Sequence, residues 1–197
     1  MNLEIFDKLM KDRPSQHKPE WRLLLEICEL YMKKRKIKNP IVVELGTYKD
    51  KQRAFYEQLL GANHIGIDIS NKRSIPDILG DSHNPWTLGT LKKKLNGKSI
   101  NILFIDGDHS YESVKKDFEM YSSFCSDIIA IHDIETGRGK EKEKRTFPHV
   151  HEFWDELKEK AHKEPEKYAN YLFVSINQNH FRCAGNRGLG IGAIIKQ

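Results

Sequence analysis

The stretch INILFIDGDHSYESVKKDFEMY, residues 100–121, holds three kinds of segment in succession. INILFI is apolar at nearly consecutive positions, which suits a strand buried on both faces of a parallel sheet. DGDH (106–109) is a polar turn that sets two carboxylates and an imidazole side by side. Tyr111, Val114, Phe118 and Tyr121 then recur at i, i+3, i+7 and i+10, the spacing of one helix face.

The same order of strand, polar turn and helix repeats outward. IVVEL (41–45), HIGIDI (64–69) and DIIAIHD (127–133) are short apolar runs, and with INILFID their starts lie 23 to 36 residues apart. A weaker candidate, Ile75 to Leu79, fills the longest gap. Ala54, Phe55 and Leu59 form a helical pattern ending near Gly61, and Trp86, Leu88, Leu91 and Leu95 form another ending at Asn96-Gly97. This alternation predicts an open α/β sheet with right-handed crossovers.

Upstream, Trp21, Leu24, Leu25, Cys28, Tyr31 and Met32 mark an amphipathic helix, with Pro19 suited to its first turn and Asn39-Pro40 to its end. Residues 1–40 therefore read as a helical lead-in to a unit spanning 41–197. Downstream, a helix over 150–161 precedes YLFVSI (171–176) and LGIGAII (189–195). No helix-length segment separates those two runs, so they read as an antiparallel pair joined by NQNHFRCAGNRG.

The chain of 197 residues is 38% hydrophobic and 31% charged, polar for a globular protein but well above the range of disorder. No apolar run approaches the roughly 20 residues that span a bilayer, and the first residues do not read as a secretory signal. Cys28, Cys125 and Cys183 are scattered without a CxxC, which suits buried thiols in a reducing cytoplasm.

In open α/β sheets, ligands bind outside the carboxyl ends of the strands. The ends here carry Glu44, Asp68, Asp106 and Asp133. A carboxylate there can simply cap the next helix, but four along one sheet edge point to a site. Gly46 lets the first turn bend tightly and approach a ligand. Asp68 stands where an acidic residue commonly takes ribose hydroxyls. Neighbouring strands lie roughly 5 Å apart, so Asp106 and Asp133 can share a divalent cation, and two carboxylates with waters suit Mg²⁺. His109 can reach over that ion as a general base, against the plainer reading that Asp108 and His109 cap the following helix. His149 and His151 read as a loop or cap, while His180 and Arg182 could reach a substrate from the final hairpin, although nothing in the sequence fixes them there.

In VVELGTYK (42–49), IGIDIS (65–70), GDS (80–82), LFIDGDHSYESVKKDFEMY (103–121), IIAIHD (128–133) and FWDEL (153–157), the chain resembles the class I S-adenosylmethionine-dependent methyltransferases. More narrowly, it resembles the small-molecule O-methyltransferases related to macrolide-sugar methyltransferases and the so-called cephalosporin hydroxylase proteins, over roughly residues 38–195. The resemblance implies a Rossmann-like, seven-stranded, mostly parallel sheet with an antiparallel C-terminal hairpin and helices on both faces. It places Glu44, Gly46 and Tyr48 along the methionine portion of S-adenosylmethionine, Asp68 at its ribose, and Asp81 and Ser82 near its adenine. Asp106 would adjoin this cofactor as well. It also implies Mg²⁺ on Asp106 and Asp133, His109 as the base, and a small hydroxylated acceptor, a sugar-like one included.

Three other readings compete. Asp50 and Gln52 stand where relatives usually carry glycine and serine, which motivates a catalytically degenerate binding protein on the same fold. Asp106, Asp108 and His109 with His132-Asp133 superficially resemble metal-dependent phosphohydrolase signatures, although IIAIHD reads as a strand end. A formal charge of +5 suggests a nucleic-acid methyltransferase. That excess is peripheral: residues 1–40 carry 10 basic and 6 acidic side chains, and residues 137–145 carry 5 and 2. Residues 41–136 hold every candidate site residue and carry 11 basic against 14 acidic side chains. An acidic centre favours a cationic cofactor and a metal; neither a nucleic acid nor a membrane is expected as a partner, and a homo-oligomer is compatible with all of this.

Overall fold

The apolar runs become strands β1 (Ile41–Leu45), β2 (Asn63–Asp68), β3 (Ile78–Leu79), β4 (Ile100–Ile105), β5 (Cys125–His132), β6 (Tyr171–Ile176) and β7 (Ile191–Lys196). This computed structural model describes residues 1–136, 149–177 and 189–197. Cys183, His180, Arg182, the 137–145 segment and nearly all of the connection between the last two strands lie outside the described residues.

One seven-stranded sheet forms in the order β3-β2-β1-β4-β5-β7-β6. Strands β1 to β5 are parallel to one another, and β7 runs antiparallel to both β5 and β6. The weak candidate at 75–79 shortens to two residues. Pro76 precedes the strand, and the Asp77 carboxylate, rather than a strand carbonyl, accepts the Gly66 N–H at 2.8 Å. Ile75 is left 85% exposed.

Among the described residues, six α-helices flank the sheet: α1 (Leu3–Met10), α2 (Lys18–Lys34), α3 (Arg53–Leu60), α4 (Pro85–Leu95), α5 (Tyr111–Tyr121) and α6 (Val150–Lys163). Their ends follow local chemistry. The Asn2 side chain caps α1, Asn84 with Pro85 starts α4, and Ser110 caps α5. Gly61 and Asn96 end α3 and α4 in the left-handed conformation.

Alternation along each strand divides the core in two. Val43, Leu45, Leu103, Ile105 and Ile129 pack with Leu91, Val114 and Trp154 of α4, α5 and α6. Val42, Ile102, Phe104, Ile128 and Ala130 pack with Phe6, Trp21 and Phe55 of α1, α2 and α3. Helices therefore cover both faces, as parallel strands require. Among the described residues, no helix is long and apolar enough to cross a membrane. Cys28 and Cys125 are buried free thiols, and burial raises both, Cys28 to about 12 and Cys125 to about 11.

Trp21 anchors the second layer: it is fully buried, with Phe55, Tyr56 and Phe104 at centroid distances of 5.8, 5.5 and 5.5 Å. Trp21→Ala removes the largest side chain at this contact and is expected to destabilise the fold by about 3–5 kcal/mol. A lower urea midpoint at unchanged m-value checks this.

Candidate active site

Strand order reverses between β1 and β4, and the crevice outside their carboxyl ends is where an open α/β sheet holds a ligand. The chain leaves β1 through Gly46, at φ +85°. A Cβ there would lie 2.3 Å from the Asp106 carbonyl oxygen and 2.6 Å from Gly107 Cα, so only glycine fits. The turn continues through Tyr48 and Asp50, both also at positive φ. Asp68 closes it: one carboxylate oxygen accepts the Thr47 and Tyr48 N–H groups at 3.0 and 2.8 Å, and the other accepts Ser70 N–H at 2.8 Å.

A cavity of about 480 Å³ opens beside this turn. Of the sequence-predicted residues, Gly46, Tyr48, Asp68, Asp81, Ser82 and Asp106 all line it. Asp108 and Asp117 add to a wall of five carboxylates, which suits a cationic ligand. Asp108 is held by the Ser110 and Ser113 hydroxyls at 2.9 and 2.6 Å, and these bonds, the Ser113 one foremost, keep its carboxyl below the usual range. It braces the start of α5 through these hydroxyls, while the cap itself is Ser110 rather than Asp108.

Beyond the cavity wall, an alternating chain of acids and imidazoles joins the ends of β4 and β5. Gln16 Nε2 donates to Asp106 Oδ2 at 2.9 Å. His132 Nδ1 lies 3.0 Å from Asp106 Oδ1 and 3.6 Å from Asp133 Oδ1, and His109 Nδ1 lies 2.8 Å from Asp133 Oδ2. Asp133 takes the left-handed conformation at φ +64°, a sparsely populated state that re-aims its carboxylate. Burial alone would raise the Asp133 carboxyl, but the His109 hydrogen bond and the nearby His132 imidazole hold it well below the usual range. The Asp133 hydrogen bond raises His109. Burial opposes the charging of His132, yet the Asp106 and Asp133 carboxylates push it up to about 10.

Asp106, His109 and Asp133 offer ligand atoms within 4.8 Å of one another, a set that fits a divalent cation. His132 bears on the same place. As an imidazolium it neutralises one of the two carboxylates, and as an imidazole it adds a nitrogen donor.

Glu44 is not brought to the cavity. It is fully buried among the residues under α1, α2 and α3, with Oε2 2.8 Å from His64 Nε2. Asp50 and Gln52 do not line the cavity either; Asp50 turns to Arg53 at 2.6 Å, and Gln52 is buried. Sequence reasoning missed Gln16, Asp117 and His83. Asp117 is buried in α5 and raised by that burial, with His83 Nε2 3.2 Å away. Its signal was a carboxylate one turn from Val114 and Tyr121 on an otherwise apolar face. Gln16 sits between two helices with no periodicity to mark it.

No family model matches the chain, and no curated protein matches it by sequence. Solved structures do. The O-methyltransferase TomG from Streptomyces achromogenes, in complex with S-adenosylmethionine, is 13% identical with a TM-score of 0.61, over 98% of this chain and 90% of that one. An O-methyltransferase from Bacillus cereus, in complex with S-adenosylhomocysteine, gives 13% and 0.61 over 98% and 91%. MycE of the mycinamycin pathway, with Mg, S-adenosylhomocysteine and mycinamycin VI, gives 14% and 0.61 over 98% of this chain and 53% of that one. The chain thus spans about half of MycE. The fold is the one shared with these S-adenosylmethionine- and S-adenosylhomocysteine-bound O-methyltransferases.

A value near 10 against an ordinary 6.5 means that folding tightens the His132 proton. Its contribution to stability is complete below the ordinary imidazole range and is lost as pH rises through about 10. His132→Gln is therefore expected to destabilise the protein strongly at about pH 6 and much less at about pH 10. Urea denaturation of both proteins at each pH measures the difference.

Proposed function

We propose that this chain is an S-adenosylmethionine-dependent O-methyltransferase of a small hydroxylated molecule, a sugar-like one included, assisted by a divalent cation. The observation that carries this is the His109–Asp133 pair beside a cavity whose wall includes Asp106. With Nδ1 turned to Asp133, His109 keeps Nε2 as the atom that takes a proton. Its side chain is 43% exposed, so an acceptor can approach.

When bound, S-adenosylmethionine supplies a methyl group on a positively charged sulfur, and Mg²⁺ lowers the pKa of a hydroxyl beside it. Gly46 gives the backbone room, Asp68 and Asp81 would hold the ribose and adenine end, and the carboxylates would favour the cationic sulfur. Asp106 and Asp133 would hold the cation. His109 Nε2 removes the acceptor proton as the oxygen attacks, and the Asp133 carboxylate stabilises the imidazolium that results. In-line displacement needs little further covalent help, so positioning supplies much of the acceleration. Glu44 has no part in this set because it does not line the cavity. Asp50 and Gln52, which motivated a degenerate protein, lie outside the same wall.

Isothermal titration with S-adenosylmethionine and S-adenosylhomocysteine tests the reading. Binding is expected, and its absence at roughly millimolar ligand (a Kd beyond about 1 mM) overturns the proposal. His109→Gln is expected to lower kcat by about 10²–10⁴-fold, while S-adenosylhomocysteine affinity stays within a few-fold.

A further inference from the structure

Glu44, Asp50 and His64 form a second cluster, outside the cavity wall, with one ligand atom from each residue all within 4.8 Å of one another. Glu44 lies in β1, Asp50 in the turn after it, and His64 in β2, where it pairs with Val42. The Glu44 and His64 side chains are fully buried, with Oε2 and Nε2 2.8 Å apart. Glu44 Oε1, Asp50 Oδ1 and His64 Nδ1 are buried without any hydrogen-bond partner. Tyr56, whose hydroxyl is equally unpartnered, stacks on the His64 ring at 5.5 Å. Buried polar groups in native proteins are nearly always satisfied, so an unsatisfied atom on each of three clustered side chains calls for a ligand.

Charge points the same way. Arg53 is bound to both Asp50 and Asp77, at 2.6 and 2.7 Å, so a single guanidinium serves two carboxylates and Glu44 has no cation of its own. Burial first, and then the Asp106 charge, raise the Glu44 carboxyl well above its usual range. Burial, then Arg53, lower His64 to about 4. Burial thus disfavours charge on both members of the Glu44–His64 contact.

We propose that Glu44, Asp50 and His64 bind a divalent transition cation of the zinc class, which ties β1, the first turn and β2 together. A Glu44 carboxylate oxygen and a His64 imidazole lone pair bond to the metal, and any proton between them leaves to solvent. Asp50 keeps Oδ2 on Arg53 and supplies Oδ1. One imidazole with two carboxylates is a set that zinc accepts. Mg²⁺ prefers oxygen donors and retains several waters, so a set that includes an imidazole suits zinc better. Gly46 and Tyr48 of the tied turn line the cavity, so the ion stiffens one of its walls.

This site is independent of methyl transfer, and Co²⁺ reads it directly through its visible absorption. The whole chain is stripped with a chelator and titrated with Co²⁺ in an Asp133→Asn background, which disables the cluster at Asp106, His109 and Asp133. One equivalent is expected to bind with the absorption of a low-coordinate site. Adding His64→Gln is expected to abolish it, and adding Asp50→Asn to weaken it roughly tenfold or more. No bound Co²⁺ in the Asp133→Asn chain, or binding unchanged by His64→Gln and Asp50→Asn, overturns the proposal. If His64→Gln fails to fold by circular dichroism, Asp50→Asn, in a turn and half-buried, decides alone. S-adenosylhomocysteine binding is measured separately and stands or falls on its own.

Discussion

The carboxyl ends of β1 and β4 approach so closely that a Cβ on Gly46 would sit 2.3 Å from the Asp106 carbonyl oxygen. Two hydrogen bonds fix that approach: Gly46 N–H to Ile67 on one side at 2.8 Å, and Asp106 N–H to Leu45 on the other at 2.9 Å. The first turn is thus pinned between β2 and β4, and its two next amides are free to find Asp68. The same contact sets where the Asp106 side chain begins, and with it the chain through His132, Asp133 and His109. A larger residue at position 46 would move all of these at once.

The acidic centre needs a separate partner for almost every carboxylate, and the fold supplies different kinds. Backbone amides take Asp68, serine hydroxyls take Asp108, imidazoles take Asp106 and Asp133, and Arg53 takes Asp50 and Asp77. Glu44 and Asp117 are handled differently, since burial raises both toward the neutral acid. The negative charge left at the cavity is carried by groups whose orientation is already fixed. A cationic ligand entering there meets dipoles and carboxylates that need no rearrangement, the condition under which electrostatic stabilisation is strongest.

The strands were legible because parallel strands buried on both faces are apolar at consecutive positions, a pattern that IVVEL, INILFI and DIIAI all show. Asp68, Asp106 and Asp133 were legible as well, because each stands at or just beyond the end of such a run. Glu44 differs in one respect: Leu45 follows it inside the same strand. Side chains alternate along a strand, so this single residue of offset turns Glu44 to the face covered by α1, α2 and α3. A run apolar on both faces gives no sign of which face a carboxylate within it meets. Gln16 and His132 were harder still, since their roles depend on where α2 lands on the sheet.

That landing explains why the N-terminal helices matter to the site. Trp21 of α2 packs against Phe104 at 5.5 Å, and Phe104 in turn meets the His132 ring edge-on at 6.0 Å. His132 binds Asp106, and Asp106 accepts from Gln16, only five residues before Trp21. The path leaves α2 through an aromatic contact and returns to the segment just before it through a hydrogen bond. Both ends of the His132–Asp106 pair are therefore held by the same piece of chain. A shift of α2 along the sheet would release the ring and the carboxylate together, so the geometry of the acid–base chain depends on a hydrophobic contact that lies outside it.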